Sequence, residues 1–358
     1  MARIGINGFG RIGRLAFRAA WEQKLALEVV AINDPAGART DALLLEFDSN
    51  YGPFPGKIES EEGSIRVDGK RLTVFRERDW TKLNWSDVGA EIVMECSGRG
   101  TRRPEAAKHL TAGAKRVLIS APGNDEDLTV VLGVNEEQYD PEKHQIISNG
   151  SCTTNCLAPV TKVLMDAFGI QWGFMSTVHS YTNAQHIQDR GTDDPRESRA
   201  AALNIIPTDT GAARALVKVI PELAGRFNGM AFRVPTPTVS VIDLVAELDR
   251  VVTIEEVNAA FREAAKGPLR GILDVCDKPL VSMDFKGNPH SAIVDAISTM
   301  VLKDRIVKVV AWYDNEWGYS CRMADLAAYI SARDIRQDQQ RLWGVAKEKK
   351  PTPDRGNQ

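Results

Sequence analysis

Short apolar runs alternate along the chain with stretches of helical spacing, and that alternation predicts the fold class. The run from Ile4 to Asn7 leads through Gly8-Phe9-Gly10-Arg11-Ile12-Gly13 into Leu15, Ala16, Ala19 and Ala20, which share one face of a predicted helix. "LEVVAIND", "AEIVMECSG" (90–98) and "KRVLISAP" (115–122) read as further strands, with a helix over "TRRPEAAKHLTAG" between the last two. Strands alternating with helices imply a mostly parallel, doubly wound sheet whose ligand lies at the strands' C-terminal ends. Ser97, Gly98 and Ser120 sit at such ends, either lining a crevice or simply making room for turns. Segment 50–85 differs: "SIRVDG" and "RLTVFRE" alternate with period two, which suggests antiparallel strands at the sheet's edge.

The pattern changes past the middle of the chain. "HQIISNG" reads as a strand, and Leu157, Val160, Leu164 and Phe168 mark a helix that Ser151 can cap, with Pro159 to be absorbed in its first turn or by a kink. "FMSTVHS", "TPTVSVIDLVAELD", "PLVSMDF" and "IVKVVAWYD" read as strands of a largely antiparallel sheet. The expected architecture is therefore α/β: a Rossmann-type doubly wound unit over residues 1–151 and an α+β unit over 152–315. A helix is expected over 316–334, continuing a few turns into a polar tail over 335–358 that then becomes disordered, with a partner site weighed around Trp343.

Composition narrows the function classes. The 358 residues are 43% hydrophobic and 26% charged, the balance of a globular protein with room for two domains. A net charge of -3 gives no general pull toward nucleic acid or anionic lipid, no apolar run approaches a membrane span, and "MARIGINGFG" has no signal-peptide core. A cytoplasmic location is expected, with the five cysteines (96, 152, 156, 276, 321) reduced. Cys152, Cys156 and His179 lack the second close ligand pair of a zinc site, so no metal is expected.

The glycine turn carries chemistry. In a strand-turn-helix setting Gly8 permits the tight turn, Gly10 lets the backbone approach a pyrophosphate, Gly13 lets helix and strand pack closely, and the helix N-terminus faces the phosphates. Asp34 ends the next strand about 20 residues on, where a carboxylate accepts ribose hydroxyls and repels a 2'-phosphate. That favours NAD over NADP; the plainer alternative is an Asp that merely ends a strand.

"SCTTNCLAP" places Cys152 at a helix start, where free N–H groups favour thiolate, and Cys156 one turn deeper. From this segment alone both thiols read equally well as small core residues. An apolar strand, Phe174 to Val178, then delivers His179 at its end as a candidate base, and the balance moves to Cys152 as nucleophile with Cys156 packed beneath it. His109, His144, His186 and His290 have solvated or structural settings.

Taken together, "INGFGRIGR", "SCTTNCLAP", "HSYTN", "NIIPTDTGAA", "NGMAFRVPTPTVSVIDL" and "WYDNEWGYS" resemble the phosphorylating glyceraldehyde-3-phosphate dehydrogenase family, in chain order over residues 1 to about 333. The resemblance implies that Cys152 attacks an aldehyde to give a thiohemiacetal, with His179 as base. Hydride loss to NAD then leaves a thioester that inorganic phosphate cleaves to an acyl phosphate. It implies NAD contacts at Arg11, Ile12, Asp34, Arg78, Ser120 and Asn315. Substrate phosphate would fall to Thr182 and Arg233, and the attacking phosphate to Ser151, Thr210 and Gly211, with Thr153 in the same phosphate-binding set. It also implies a homotetramer in which residues 180–203 lie against a neighbour's cofactor site, and a last helix that returns to the first domain. Without it, Arg233 reads as well as a surface ion pair and Thr210 as a helix cap.

Several positions depart from the family's pattern. Gly150 stands where alanine is common, and Ser97 and Gly100 alter the expected wall of the cofactor crevice. Glu197 follows Arg196 where some relatives have a second arginine, which sets a carboxylate near the attacking phosphate. Arg190 and Gly191 leave NADP use less firmly excluded. Rival readings are erythrose-4-phosphate dehydrogenase, arsenate in place of phosphate in a detoxification role and, outside enzymes, a nucleotide- or RNA-binding module, disfavoured by the acidic balance and the missing aromatic-basic platform.

Overall fold

The computed structural model describes residues 1–343, with side chains through 339. In chain order the first part holds β1 (Ala2–Asn7), α1 (Arg11–Glu22), β2 (Leu27–Asn33), α2 (Ala38–Glu46), β3 (Phe47–Asp48), β4 (Gly52–Pro53), β5 (Ile58–Glu61), β6 (Ser64–Val67), β7 (Lys70–Phe75), β8 (Ile92–Glu95), α3 (Arg103–Thr111), β9 (Arg116–Ile119), β10 (Leu128–Thr129) and β11 (Ile146–Ser148). There follow α4 (Cys152–Phe168), β12 (Ile170–Ser180), β13 (Ile206–Asp209), α5 (Ala212–Val219), β14 (Phe227–Val234), β15 (Ser240–Leu248), α6 (Ile254–Lys266), β16 (Leu273–Cys276), β17 (Ala292–Asp295), β18 (Met300–Leu302), β19 (Ile306–Tyr313) and α7 (Trp317–Trp343).

Nine strands form one sheet in the order β10-β11-β9-β8-β1-β2-β7-β6-β5. Its pairs from β10 to β7 are parallel, and β5 and β6 add an antiparallel edge, as the period-two pattern predicts. β1 and β8 are buried almost throughout because helices cover both faces, which is why they read as continuous apolar runs. The second sheet runs β13-β14-β12-β15-β19-β17-β16, with β18 on β19. It is mostly antiparallel, but β12 pairs with β14 in parallel, and that pairing sets His179 directly beside Arg233.

One predicted strand is absent. "PLVSMDF" instead contains a 3-10 turn, Ser282–Phe285. The Asp284 carboxylate accepts the Val281 N–H at 2.9 Å, and Phe285 stacks on Trp312 at 5.4 Å, so local hydrogen bonding and a ring contact replace a ladder. Pro159 lies in the interior of α4 rather than in its first turn, and the helix continues through it.

α7 continues past residue 334 into the polar tail as far as Trp343. Its Tyr319, Met323, Leu326, Ala327 and Ile330 join the core that holds Ile4 and Ile6 of β1, while Trp317, Cys321 and Ala324 pack against Leu15 and Ala19 of α1. The tail beyond Trp343, and the side chain of Trp343 itself, lie outside the described residues. No described helix is long and apolar enough to cross a membrane.

Candidate active site

At the end of β1 the chain turns through Gly8 at φ +88, and a Cβ there would lie 2.5 Å from the Ser97 backbone nitrogen. A Cβ on Gly13 would strike the Gly8 carbonyl oxygen, whereas one on Gly10 would meet nothing within 4 Å. The three glycines thus close a turn, seat a helix on it and leave an open approach to the backbone. Gly10 is the N-cap of α1 and supplies no side-chain cap, so the first N–H groups of the helix, at Arg11 and Ile12, remain available to an anion. Asp34 accepts the Phe9 N–H at 2.8 Å through one oxygen and the Ala36 N–H at 2.9 Å through the other. Each oxygen keeps a lone pair for a further donor such as a ribose hydroxyl.

Two basic residues follow β7, which pairs with the strand that leads into Asp34. Arg76 bonds to the Pro35 carbonyl through Nη2 at 3.1 Å, and Arg78 is exposed. Asp41, buried behind them with one oxygen unpartnered, has its carboxyl pushed up to about 7, first by burial and then by the charge of Asp34. The donor-rich turn, the open Gly10 and the anchored Asp34 fit a dinucleotide.

The Arg11 guanidinium points elsewhere. It bonds to Glu316 at 2.8 and 2.5 Å and to Asp48, so only its backbone faces the glycine turn. Next to that ion pair, Asn315 is buried, and its Oδ1 accepts from Ser180 Oγ at 2.9 Å and Ser240 Oγ at 3.0 Å. Two hydroxyl donors on one oxygen assign the amide's orientation and leave Nδ2 as a donor. On the other wall, the Ser120 N–H bonds to the Glu95 carbonyl. The Glu95 side chain is buried and accepts from Asn7 and Ser97 and from His109 Nε2 at 3.0 Å. His109 Nδ1 accepts from Trp85, which fixes its proton on Nε2 and makes it structural and buried.

The thiol and imidazole meet between α4 and the second sheet. Ser151 caps α4 by accepting the Thr154 N–H at 2.9 Å, and Cys152 opens the helix. Cys152 Sγ lies 3.3 Å from His179 Nε2. Contrary to the simple helix-start expectation, burial pushes the Cys152 thiol above its ordinary value; Arg233 and hydrogen bonds from Thr153 pull the other way without reversing it. The residue keeps partial exposure, and water at its open side limits that push. His179 is held neutral: burial, then the Arg233 charge, lower it to about 3. Cys156 is fully buried, its sulfur 3.9 Å from the Ala311 carbonyl, and burial holds its thiol well above the ordinary value.

Beneath them, Tyr313 Oη lies 2.9 Å from both Thr153 Oγ1 and Thr177 Oγ1, and its ring meets His179 edge-on at 6.0 Å. The Thr153 hydroxyl is thus bound into the core rather than turned toward an anion. Tyr313, Thr177, Ser180 and Ser240 escape a sequence reading because nothing local marks them; strand alternation puts Tyr313, Thr177 and Ser240 on the inner face, and Ser180 meets Asn315 at the end of β12.

Arg233 is half-buried, with Nη1 at 2.8 Å from His179 Nδ1 and a buried Nε that has no partner. At the adjoining ends of β12 and β14, Thr182 is held by Gln185 Oε1 through both its N–H (2.7 Å) and its hydroxyl (3.1 Å), and Gln185 Nε2 is a second buried donor without a partner. Unpaired buried donors beside a cation are chemically suited to an anion. Thr210 accepts the Ala212 N–H at 3.2 Å, and Gly211 starts α5, which packs on α4, whose own start carries Ser151. Glu197 accepts from Thr208 Oγ1 at 2.8 Å. Through the pairing of Ile206 with Arg233, β13 presents Thr208 on the same face as Arg233 and His179.

Comparison with known proteins places the chain in a family. A family model described as the glyceraldehyde 3-phosphate dehydrogenase NAD binding domain matches residues 2–103, and the model of that enzyme's C-terminal domain matches residues 151–315. Among similar proteins, glyceraldehyde-3-phosphate dehydrogenase of Geobacillus stearothermophilus is 56% identical over 333 residues, covering 93% of this chain and 99% of the relative. Glyceraldehyde-3-phosphate dehydrogenase 1 of Bacillus subtilis shows the same identity and coverage, and glyceraldehyde-3-phosphate dehydrogenase 2 of Streptomyces avermitilis is 51% identical over 328 residues, 92% of this chain and 98% of its own. The chain belongs to the glyceraldehyde-3-phosphate dehydrogenase family.

Proposed function

We propose that the protein catalyses the NAD-dependent, phosphorylating oxidation of glyceraldehyde 3-phosphate to 1,3-bisphosphoglycerate. The observation that carries this reading is Cys152 Sγ at 3.3 Å from His179 Nε2, with an arginine that has an unpaired buried N–H beside them. In this reading Cys152 attacks the aldehyde carbon as its proton passes to His179 Nε2, and the imidazolium then donates to the oxygen of the thiohemiacetal. Bound NAD supplies the hydride acceptor. The resulting thioester retains the energy of oxidation, and phosphate held by Ser151, Thr210 and Gly211 displaces the Cys152 thiolate to give the acyl phosphate. Arg233 and Thr182 hold the substrate's own phosphate. The cofactor rests on the α1 N–H groups, Asp34, Ser120 and the Asn315 amide, with Arg78 at the rim, and Asp34 favours NAD over NADP.

Residues 1–151 would form the cofactor domain and 152–315 the catalytic domain, with α7 returning to the first. A cytoplasmic homo-oligomer, a tetramer, fits the outer face of the second sheet, where Phe174 (60% exposed), Val178 and Met230 lie uncovered together. NADH formation by the purified protein with glyceraldehyde 3-phosphate, against erythrose 4-phosphate and with or without phosphate or arsenate, tests the reading. Activity that is independent of either anion, or that survives Cys152→Ser, would refute it.

A further inference from the structure

Behind the Asp34 carboxylate lies a second carboxyl that the proposed chemistry does not use. Asp41 sits in the first turn of α2, 1% exposed, with a buried Oδ2 that has no hydrogen-bond partner. A carboxylate hidden from water ordinarily keeps a paired cation or several donors. The two cations whose charge reaches Asp41 are engaged elsewhere. Arg14 of α1 donates to the Phe9 carbonyl oxygen at 2.8 Å and leaves its Nε unpaired, and Arg76, just after β7, donates to the Pro35 carbonyl oxygen at 3.1 Å. Gly37, the N-cap of α2, stands so close to Arg76 that a Cβ on it would lie 3.2 Å from the arginine Cδ. The first turn of α2, the residue after β7 and the end of β2 thus close on one another, with Asp41 inside and Asp34 at the crevice.

We infer that Asp41 is a second determinant of cofactor choice, set behind Asp34: ionised, it adds a negative charge beneath the ribose site and rejects a 2'-phosphate, and protonated, it leaves that rejection to Asp34 alone. The inference rests on the proposed role of Asp34 as acceptor of the ribose hydroxyls and adds that discrimination against NADP rises with pH through neutrality. Burial first, and then the charge of Asp34, push the Asp41 carboxyl up to about 7, against the weaker pull of Arg14 and Arg76. Its charge therefore changes within the range in which the protein is handled, while the Asp34 carboxylate is held by the Phe9 and Ala36 N–H groups.

The other charged groups on the elements packed against α2 have partners of their own. From α1, Arg18 donates to the Leu45 and Gly52 carbonyl oxygens, and Arg11 is paired with Asp48 of β3. On the solvent side of β5 and β6, Glu59 pairs with Lys57 at 2.7 Å and Glu61 with Arg66 at 2.7 Å. Linkage fixes the sign of the effect. A 2'-phosphate brings further negative charge toward Asp41 and raises its carboxyl again, so NADP binds together with a proton, whereas NAD, lacking that phosphate, does not. At a separation of about 10 Å one unit charge alters the affinity for another by roughly tenfold at low salt. A tenfold effect on binding is by the same linkage a tenfold effect on proton affinity, which corresponds to about half a proton taken up near pH 7.5.

Calorimetric titration of the full chain with NAD and with NADP, at low salt and in two buffers of different ionisation enthalpy, reads affinity and proton uptake without turnover. Between about pH 6 and about pH 8.5 the ratio of the Kd for NADP to that for NAD rises about tenfold more in the wild type than in Asp41→Asn. Near pH 7.5 wild-type protein takes up about half a proton more with NADP than Asp41→Asn does, and NAD binding shows no such difference. The variant serves as the reference because the 2'-phosphate titrates in both proteins alike. A carboxyl with a purely structural role would change stability and leave both readouts unmoved. NADP binding to the wild type without proton uptake overturns the inference whether or not the variant folds. So does a ratio that follows pH equally in the two proteins, including the case in which neither binds NADP. Asp34→Ala separates this from failure of the underlying reading: if Asp34 does not meet the ribose, that variant leaves the ratio unchanged at every pH.

Discussion

Acid should destabilise this protein through one histidine, and the size of the effect follows from the site. His179 is lowered in the fold from its ordinary 6.5 to about 3, by burial first and Arg233 second. Because the folded value lies below the unfolded one, the unfolded chain binds the extra proton between them, and the native state loses stability as pH falls below about 6.5, levelling off near 3. At about pH 4.5 the unfolded ring is almost wholly charged and the native ring almost wholly neutral, which corresponds to a loss on the order of 3 kcal/mol relative to pH 8. Asparagine at this position keeps polar contacts without titrating. Urea unfolding followed by tryptophan fluorescence, at fixed protein concentration, should therefore show the wild type losing about 3 kcal/mol more than His179→Asn between these two pH values. Other titrating groups contribute to both proteins and cancel, among them Asp41, whose raised carboxyl acts in the opposite sense. Arg233→Gln should show an intermediate loss, since it removes the second cause but not the first. Equal losses in wild type and His179→Asn would mean that the ring is not held neutral, and the reasoning from its burial would fail.

Three further outcomes follow from other contacts. Asp34→Ala should raise the ratio of kcat/KM with NADP to that with NAD by at least about tenfold, the worth of one charge-assisted hydrogen bond, and an unchanged ratio would show that Asp34 does not meet the ribose. Glu197→Gln removes a carboxylate from the sheet face that carries Arg233, and KM for inorganic phosphate should fall by about two- to tenfold, more at low salt; a rise would place Glu197 among the groups that assist phosphate. Tyr313→Phe leaves the Thr153 hydroxyl without its 2.9 Å partner while Thr177 retains the Val241 carbonyl, so a cost of roughly 1–3 kcal/mol is expected in calorimetry. No change in melting temperature would argue against that network.

What could be read from the sequence is what depends on local backbone chemistry. The glycines at 8, 10 and 13 announce a turn because their roles are largely local: Gly8 takes a positive φ, Gly13 stands against the Gly8 carbonyl and Gly10 leaves the backbone open, and Asp34 follows the strand beside them. Cys152 at a helix start and His179 at a strand end are equally local. The energetics of the pair were not legible, because the upward push on the thiol comes from burial by elements far along the chain, and the His179 contact with Arg233 exists only because β12 and β14 happen to pair in parallel. The Arg11 side chain shows the same limit: its partner Glu316 lies 305 residues away, and no spacing rule connects them. "PLVSMDF" misled for a different reason, since its apolar run is interrupted by Asp284, whose carboxylate binds the backbone at Val281 and favours a turn over a ladder.

The placement of the Asn315 amide, proposed to meet the cofactor's reactive end, follows from that long-range assembly. Asp314 joins three parts of the chain: its Oδ1 accepts from Tyr51 at 2.7 Å, from Thr238 at 3.0 Å and from the backbone N–H groups that open α7, while Oδ2 accepts from Gly287. Asn315, the next residue, is thereby fixed in place, and Ser180 and Ser240 then fix which end of its amide is the donor. On its other side Glu316 holds Arg11 at the start of the helix proposed to receive the pyrophosphate. Three consecutive residues thus tie the glycine turn, the histidine strand and the last helix to one another. Cys152 packs against the cores of both units at the same junction. The distance between the Asn315 amide and the thiol is therefore determined by several buried contacts from separate elements rather than by one loop, the rigid placement that the proposed hydride transfer within a bound complex demands.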